Sequence, residues 1–234
     1  MKKILILSGA GLSKESGLNT FRDKGGLWEK YDFQKLASKE AMIYNREEVR
    51  EFYDFRRKQL IGVQPNIAHI SIAKLKKEFP ENITVMTQNV DDLLERAKCP
   101  DVIHLHGTLK DGRCEMCSFV FDIGFNSTKG LQCPKCKNPK VRHNVVMFGE
   151  KAPMYQTLFS SLDKHDIFVV IGTSGRVIDV ASMSSLFELS IINNLNPEPY
   201  VDDYFTKVIH KRATEGIIEI EEIIRGQLEQ GTIS

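Results

Sequence analysis

The chain alternates short apolar runs with longer stretches of helical periodicity. Residues 4–7, 83–86, 102–105 and 167–171 are apolar runs too short for helices, and each stops at a polar or glycine-containing segment. That is the pattern of strands buried on both faces of a parallel sheet. Residues 145–148 form a further short extended run, through which the chain is expected to re-enter the main sheet from Arg142. Between these runs the period lengthens. From residue 46 to 60, Val49, Phe52, Tyr53 and Leu60 share one helical face, and Arg56 falls on the same face. A second amphipathic helix ends near Phe79, with His69 as a helix-start or core residue. The run Ile217, Ile218, Ile220, Ile223, Ile224 and Leu228 predicts a third, packed on the core. Strands alternating with helices predict an α/β fold with a Rossmann-like doubly wound parallel sheet.

Composition narrows this picture. At 234 residues the chain can bury one good-sized core, or one core plus a small appended module. Its formal net charge is +1, with no lysine or arginine run, so no electrostatic feature favours nucleic acid. The opening MKKILIL imitates a secretory leader, but its apolar part is cut short by serine and glycine, and export is not expected. No stretch approaches the roughly 20 apolar residues of a membrane span. Four of the five cysteines stand in two Cys-x-x-Cys pairs, Cys114 with Cys117 and Cys133 with Cys136. Two such turns complete a closed tetrahedral thiolate site, which predicts one structural zinc and a reducing, cytoplasmic setting. Cys99, before Pro100, is assigned no function.

Candidate chemistry collects where the apolar runs end. Gly9, Ala10 and Gly11 follow the first run, where glycines let backbone approach a pyrophosphate, and Ser13 or Ser16 can cap a following helix. The third glycine of the usual dinucleotide fingerprint is missing. Gln88, Asn89, Val90 and Asp91 follow the second run. Side chains there can bond a ribose or carboxamide, and an anionic Asp91 can stabilise positive charge as a nicotinamide glycosidic bond breaks; a helix cap is the plainer alternative. His104 and His106 flank Leu105 on one strand face, and pattern does not separate them. Gly172, Thr173 and Ser174 end the last run, where small hydroxyl residues can meet a phosphate or ribose. Arg56 needs an anionic partner if it points inward, and from the residues alone a distant carboxylate is favoured over a ligand.

Taken together, GLNTFRDKGGLW, TQNVDDL, HLHG and IGTS resemble the sirtuin family, in the family's order and over residues 4 to about 213. The resemblance implies an NAD-dependent protein-lysine deacylase with NAD as a consumed co-substrate. It adds Thr20, Phe21, Arg22 and Trp28 to the cofactor set, and selects His106, which precedes a glycine, as general base. Asn194, Leu195 and Asn196 match the segment near the adenosine ribose. KRAT replaces the usual Gly-x-Ala-Ser at the adenine, leaving Ala213 as the contact there. The Phe148-Gly149-Glu150 loop implies an acyl-lysine channel with Val146, Phe148 and Gly149. His143 stands where the family usually has proline. The connection after Ser174 is a few residues shorter than usual, which implies a trimmed helix.

Tyr53 and Arg56, three residues apart, match the Tyr-x-x-Arg by which class III sirtuins recognise succinyl- and malonyl-lysine. The expectation is therefore a deacylase of acyl-lysine proteins or peptides, removing succinyl, malonyl and acetyl groups to give nicotinamide and O-acyl-ADP-ribose. No nucleic-acid or membrane partner is expected. A plain deacetylase, an ADP-ribosyltransferase or NAD hydrolase, and a silent NAD-binding module are the alternatives. In organisation, a Rossmann-like part at about 1–30, 62–110 and 145–234 carries a helical insertion at about 31–61 and a zinc module at about 111–144.

Overall fold

The computed structural model describes residues 1–20, Gly26 and 31–230. Of the residues singled out above, Phe21, Arg22 and Trp28 lie outside these. The strands in chain order are β1 (Ile4–Ser8), β2 (Ile83–Thr87), β3 (Ile103–His104), β4 (Gly107–Cys114), β5 (Val120–Asp122), β6 (Val141–Val145), β7 (Ile167–Ile171), β8 (Leu189–Asn194) and β9 (Lys207–His210).

Six of them form one sheet in the order β3-β2-β1-β7-β8-β9, with every neighbouring pair parallel. The chain builds outward from β1 to β3, then returns to the far side of β1 as β7. The two halves therefore part at the carboxyl ends of β1 and β7, where an open α/β sheet leaves a crevice. All five residues of β1 and of β7 are buried, as the uninterrupted apolar runs require. Alternate side chains serve opposite faces. Ile4 and Ile6 join a core with the helices Ile67–Glu78 and Ala213–Gln230. Leu5 and Leu7 join another with Leu158, Val180 and Met183 of the helices Tyr155–Leu162 and Val180–Ser184. The latter is only five residues long, in keeping with the short connection after Ser174.

Beyond Arg142 the chain does not re-enter the main sheet: β6 pairs antiparallel with β4 in a separate three-stranded sheet, β5-β4-β6. An antiparallel return needs no crossover helix, so the strand closes on its near neighbour. β6 ends at Val145, and the chain then runs on as a loop, bonded from Val146 N–H to the His106 carbonyl and from Phe148 N–H to that of Ala37. Two main-sheet strands, β8 and β9, have no counterpart among the apolar runs, because Ser190, Asn193 and Asn194 interrupt β8, and Lys207 and His210 leave only Val208 and Ile209 apolar in β9. Within the terminal helix, Ile217, Ile220 and Ile224 are fully buried, but Ile218 is 60% exposed.

The helical insertion packs against the small sheet. On its Arg46–Gln59 helix, Val49, Phe52, Tyr53 and Arg56 are buried as periodicity predicts, and so is Arg57. Arg57 pairs with Asp54 at 2.7 Å and donates to the carbonyls of Leu109 on β4 and Asn126, so one guanidinium ties the helix to the small sheet. No helix among the described residues is long and apolar enough to cross a membrane.

Candidate active site

Backbone packing at the crevice explains the glycines. A Cβ on Gly9 would lie 2.6 Å from the Gly172 carbonyl oxygen, and one on Gly11 2.6 Å from the Gly172 Cα. Gly172 itself has φ +69°, and its Cβ would meet the Leu12 nitrogen at 2.5 Å. The turns after β1 and β7 thus touch main chain to main chain, which only glycine permits. A 3-10 segment, Ala10–Ser16, follows β1 in place of an α-helix, and Gly9 is its cap. Neither Ser13 nor Ser16 caps it. Ser13 lies inside the segment, and the Ser16 hydroxyl accepts from Asn66 Nδ2 at 3.1 Å.

Ser13 instead centres a buried polar cluster. Its hydroxyl donates to Asp91 Oδ2 at 2.9 Å and accepts from Asn89 Nδ2 at 3.1 Å. His69 Nε2 is 3.2 Å away, while His69 Nδ1 accepts from Asn66 N–H, so the ring carries its proton on Nε2 and donates to Ser13. Burial lowers His69 to about 4, which keeps it neutral. His69 is thus both the helix-start and the core residue expected of it: it completes a capping box with Asn66 and is fully buried.

Above this cluster opens a cavity of about 470 Å³. Gly9, Ala10, Gly11, Gln88, Asn89, Val90, Gly172, Thr173 and Ser174 line it from just past the carboxyl ends of β1, β2 and β7, together with Thr20, Asn194, Leu195, Asn196 and Ala213. Tyr53, Arg56, Val146, Phe148 and Gly149 also line it. Ser13 and Asp91 are not in its wall; they hold Asn89 and the following turn from behind. Thr87 accepts from the Ser8 hydroxyl at 2.8 Å and from Asn89 N–H at 3.0 Å, and Gln88 Nε2 reaches Thr173 Oγ1 at 3.1 Å.

The structure separates the two histidines. β3 ends at His104, whose ring turns out of the cavity: Nδ1 meets the Asn89 carbonyl at 2.9 Å and Nε2 meets Glu95 at 2.7 Å. His106 lies past the strand and lines the cavity. Its Nδ1 is 3.0 Å from the Gln88 carbonyl oxygen and its Nε2 is 2.7 Å from the Tyr155 hydroxyl. Burial lowers its pKa below the ordinary histidine value, with the Gln88 bond acting the other way, so the ring is neutral near pH 7. Gly107 follows because its φ is +76° and a Cβ there would lie 2.0 Å from the Asn144 carbonyl oxygen on β6.

In the same cavity lining, Tyr53 stacks on His143 with ring centroids 4.0 Å apart. Burial raises the Tyr53 phenol, so its hydroxyl stays protonated, and burial lowers the Arg56 guanidinium, which is 7% exposed. Arg142 grips Glu150 with both Nη atoms, at 2.5 and 3.3 Å, and Glu150 accepts from Met147 N–H, fixing the loop between Phe148 and the small sheet. Sequence reasoning missed Tyr155, Glu15, Arg176 and Lys211, all of which line the cavity. No periodic signal marks them, because they lie on loops and element ends.

The four cysteines meet a stringent test. Their sulfurs all lie within 4.8 Å of one another, with Cys114–Cys136 and Cys117–Cys133 each at 3.6 Å. A tetrahedral zinc with bonds of about 2.3 Å requires sulfurs roughly 3.8 Å apart. The donor set therefore fits one zinc ion, with no fifth position for water.

A Rossmann-type sheet, a glycine cradle at its switch point, a neutral buried histidine in the cavity and a four-thiolate module define a dinucleotide-using α/β protein with a structural metal. Comparison with known proteins narrows the class. A family model described as "SIR2: Sir2 family" matches residues 9–179. An NAD-dependent protein deacylase from Campylobacter jejuni strain RM1221 is 47% identical over 233 residues, covering all of both chains. One of the same description from Escherichia coli K12 is 36% identical, covering 99% of this chain and 85% of that one. Among solved structures, a Sir2 homologue mutant in complex with ADP-ribose superposes with a TM-score of 0.85 at 33% identity, covering 97% of this chain and 94% of that one. A Sir2 homologue bound to NAD gives 0.83 at 33% identity, covering 97% and 91%. The chain belongs to the Sir2 family.

Proposed function

We propose that this chain is an NAD-dependent protein-lysine deacylase that removes succinyl, malonyl and acetyl groups, with acyl-lysine proteins or peptides as substrates in the cytoplasm. One observation carries the reading: a single cavity is lined both by the Gly9, Gly11 and Gly172 cradle with His106 and by Tyr53 and Arg56. Bound NAD supplies an anomeric carbon whose nicotinamide can leave as the acyl oxygen attacks. The glycine turns, bare of side chains, let the pyrophosphate approach the main chain closely, and Thr173, Ser174 and Asn194 face the adenosine side. Gln88 and Asn89 orient the nicotinamide and its ribose, with Asp91 adding negative charge from below. His106 takes a ribose hydroxyl proton at Nε2, because Nδ1 is committed to the Gln88 carbonyl. Val146, Phe148 and Gly149 border the acyl-lysine. Arg56 and the Tyr53 hydroxyl meet a distal carboxylate on the acyl chain.

Matched acetyl-, malonyl- and succinyl-lysine peptides, each with and without NAD, test this reading. NAD-dependent release of free lysine from all three is expected. In His106→Ala the rate should fall by about 10²- to 10⁴-fold with the fold retained, whereas turnover at the parent rate would remove His106 from the role.

A further inference from the structure

His106 has one lone pair to work with. Its Nδ1 faces a carbonyl oxygen at 3.0 Å and so carries the ring proton, leaving Nε2 as the acceptor. That acceptor is already engaged by the Tyr155 hydroxyl at 2.7 Å. Burial raises the Tyr155 phenol, so the hydroxyl is protonated at neutral pH and donates. A general base must stand about 2.6–3.2 Å from the oxygen whose proton it takes. One lone pair accepts one strong hydrogen bond at that range, so Tyr155 and a substrate hydroxyl compete for one point in space. We propose that Tyr155 is a positioning residue that caps the base in the substrate-free enzyme and yields Nε2 to a ribose hydroxyl of the incoming dinucleotide. The inference rests on the reading of His106 as the base.

The local structure suits a group that holds and then releases. With Gln88 at one nitrogen and Tyr155 at the other, the imidazole is fixed in plane and tautomer before any ligand arrives. Tyr155 itself sits at the edge of the core, packed against the cluster that includes Leu158 and Phe168. It is the first residue of the Tyr155–Leu162 helix, which has no side-chain N-cap and buries only Leu158 completely. The Tyr155 ring is half-buried, edge-on to Phe159 at 6.3 Å between centroids. Phe159 is 54% exposed, so on that edge the tyrosine ring adjoins solvent and not core side chains.

Calorimetric binding of ADP-ribose to the parent protein, Tyr155→Phe, His106→Ala and the double variant tests the cap. If the phenol competes with the ligand, removing its hydroxyl tightens ADP-ribose by about two- to tenfold, the worth of one net hydrogen bond. In the His106→Ala background the same change should leave the affinity alone, since nothing remains to compete for. The ¹⁵N resonance of His106 Nε2 should move in Tyr155→Phe, and in the parent when ADP-ribose binds. Tyr155→Leu also lacks the hydroxyl, and should tighten binding similarly even if one variant is less stable. Unchanged or weaker binding in Tyr155→Phe, or equal tightening without His106, would overturn the cap. So would a hundredfold loss of deacylation in Tyr155→Phe, which would mean that the proton passes through the phenol. A parent protein that binds no ADP-ribose would overturn the reading of the cavity itself, whereas measurable affinities without coupling would overturn the cap alone.

Discussion

A guanidinium on a buried helix face is costly unless an anion meets it, so Arg56 is informative as a single residue. It lines the cavity beside Tyr53, whose ring is held by the stack on His143. In Arg56→Met, an incoming succinyl carboxylate would be desolvated with no charged partner. Efficiency on succinyl-lysine should fall by at least about 2 kcal/mol, more than roughly tenfold, while acetyl-lysine turnover falls little. The ratio of the two efficiencies is the measurement, and an unchanged ratio would make Arg56 purely structural. Gly172 is the second residue whose identity is forced. A methyl group there meets the Leu12 nitrogen at 2.5 Å, in a left-handed conformation. Gly172→Ala should cost roughly 2–5 kcal/mol, read from the urea midpoint. A shift smaller than that would show that the two turns can move apart.

Among the elements, the small sheet depends most on a ligand. Its own apolar cluster is small: Cys114, Cys133 and Val141 are buried, with Phe121 and Leu131 packed against them. Such a cluster cannot offset the ordering of the strands by itself, and metal binding is then coupled to folding. Chelation should release one zinc per chain and abolish amide-exchange protection in β4, β5 and β6 while the main sheet keeps its own. Arg142 extends from this module to Glu150, and Arg57 reaches it from the helical insertion through the Leu109 and Asn126 carbonyls, so zinc loss should also loosen the acyl-lysine wall. Retained protection in a zinc-free protein would separate the module's stability from the metal.

Stability of the whole molecule should depend on pH through its buried histidines. His69 has a folded pKa of about 4 against about 6.5 unfolded, with burial as the cause. Between these values the unfolded chain binds the extra proton, so stability is complete above about pH 6.5 and falls as pH drops toward 4, by about 3 kcal/mol for this group. His143 shifts in the same direction through burial and then the neighbouring Arg142. His104 moves oppositely: burial would lower it, but the Glu95 carboxylate overrides that and raises it, so its contribution is lost as pH rises. With His69 and His143 both on the lowering side, urea midpoints measured from pH 7.5 to 5 should decline below 6.5. A flat profile would show that these histidines charge within the native state.

Where a residue's environment is set by its immediate neighbours, the sequence determined the outcome. The apolar runs at residues 4–7, 83–86 and 167–171 became the central strands β1, β2 and β7, whereas the equally apolar run 145–148 left the small sheet as a loop. Paired Cys-x-x-Cys turns specified a four-thiolate site whatever the surrounding fold, and the 3.6-residue period placed Arg56 inward. Tertiary structure decided what depends on distant partners. β8 was hidden because its polar residues bond across to the segment around β9: Ser190 with Thr206, and Asn193 with the Ile209 and Lys211 carbonyls. Arg57 was hidden because its carbonyl partners are about 50 and 70 residues away. His104 and His106 are equivalent by alternation, and only the end of β3, with the glycine turn against Asn144, sends one ring to Glu95 and the other into the cavity. Ser13 and Asp91 were legible as polar residues beside a nucleotide turn, but that they stand behind its wall follows from His69, 56 residues from Ser13. Periodicity reports which face of an element is buried, whereas the partner that makes burial of a polar group tolerable is chosen by the fold.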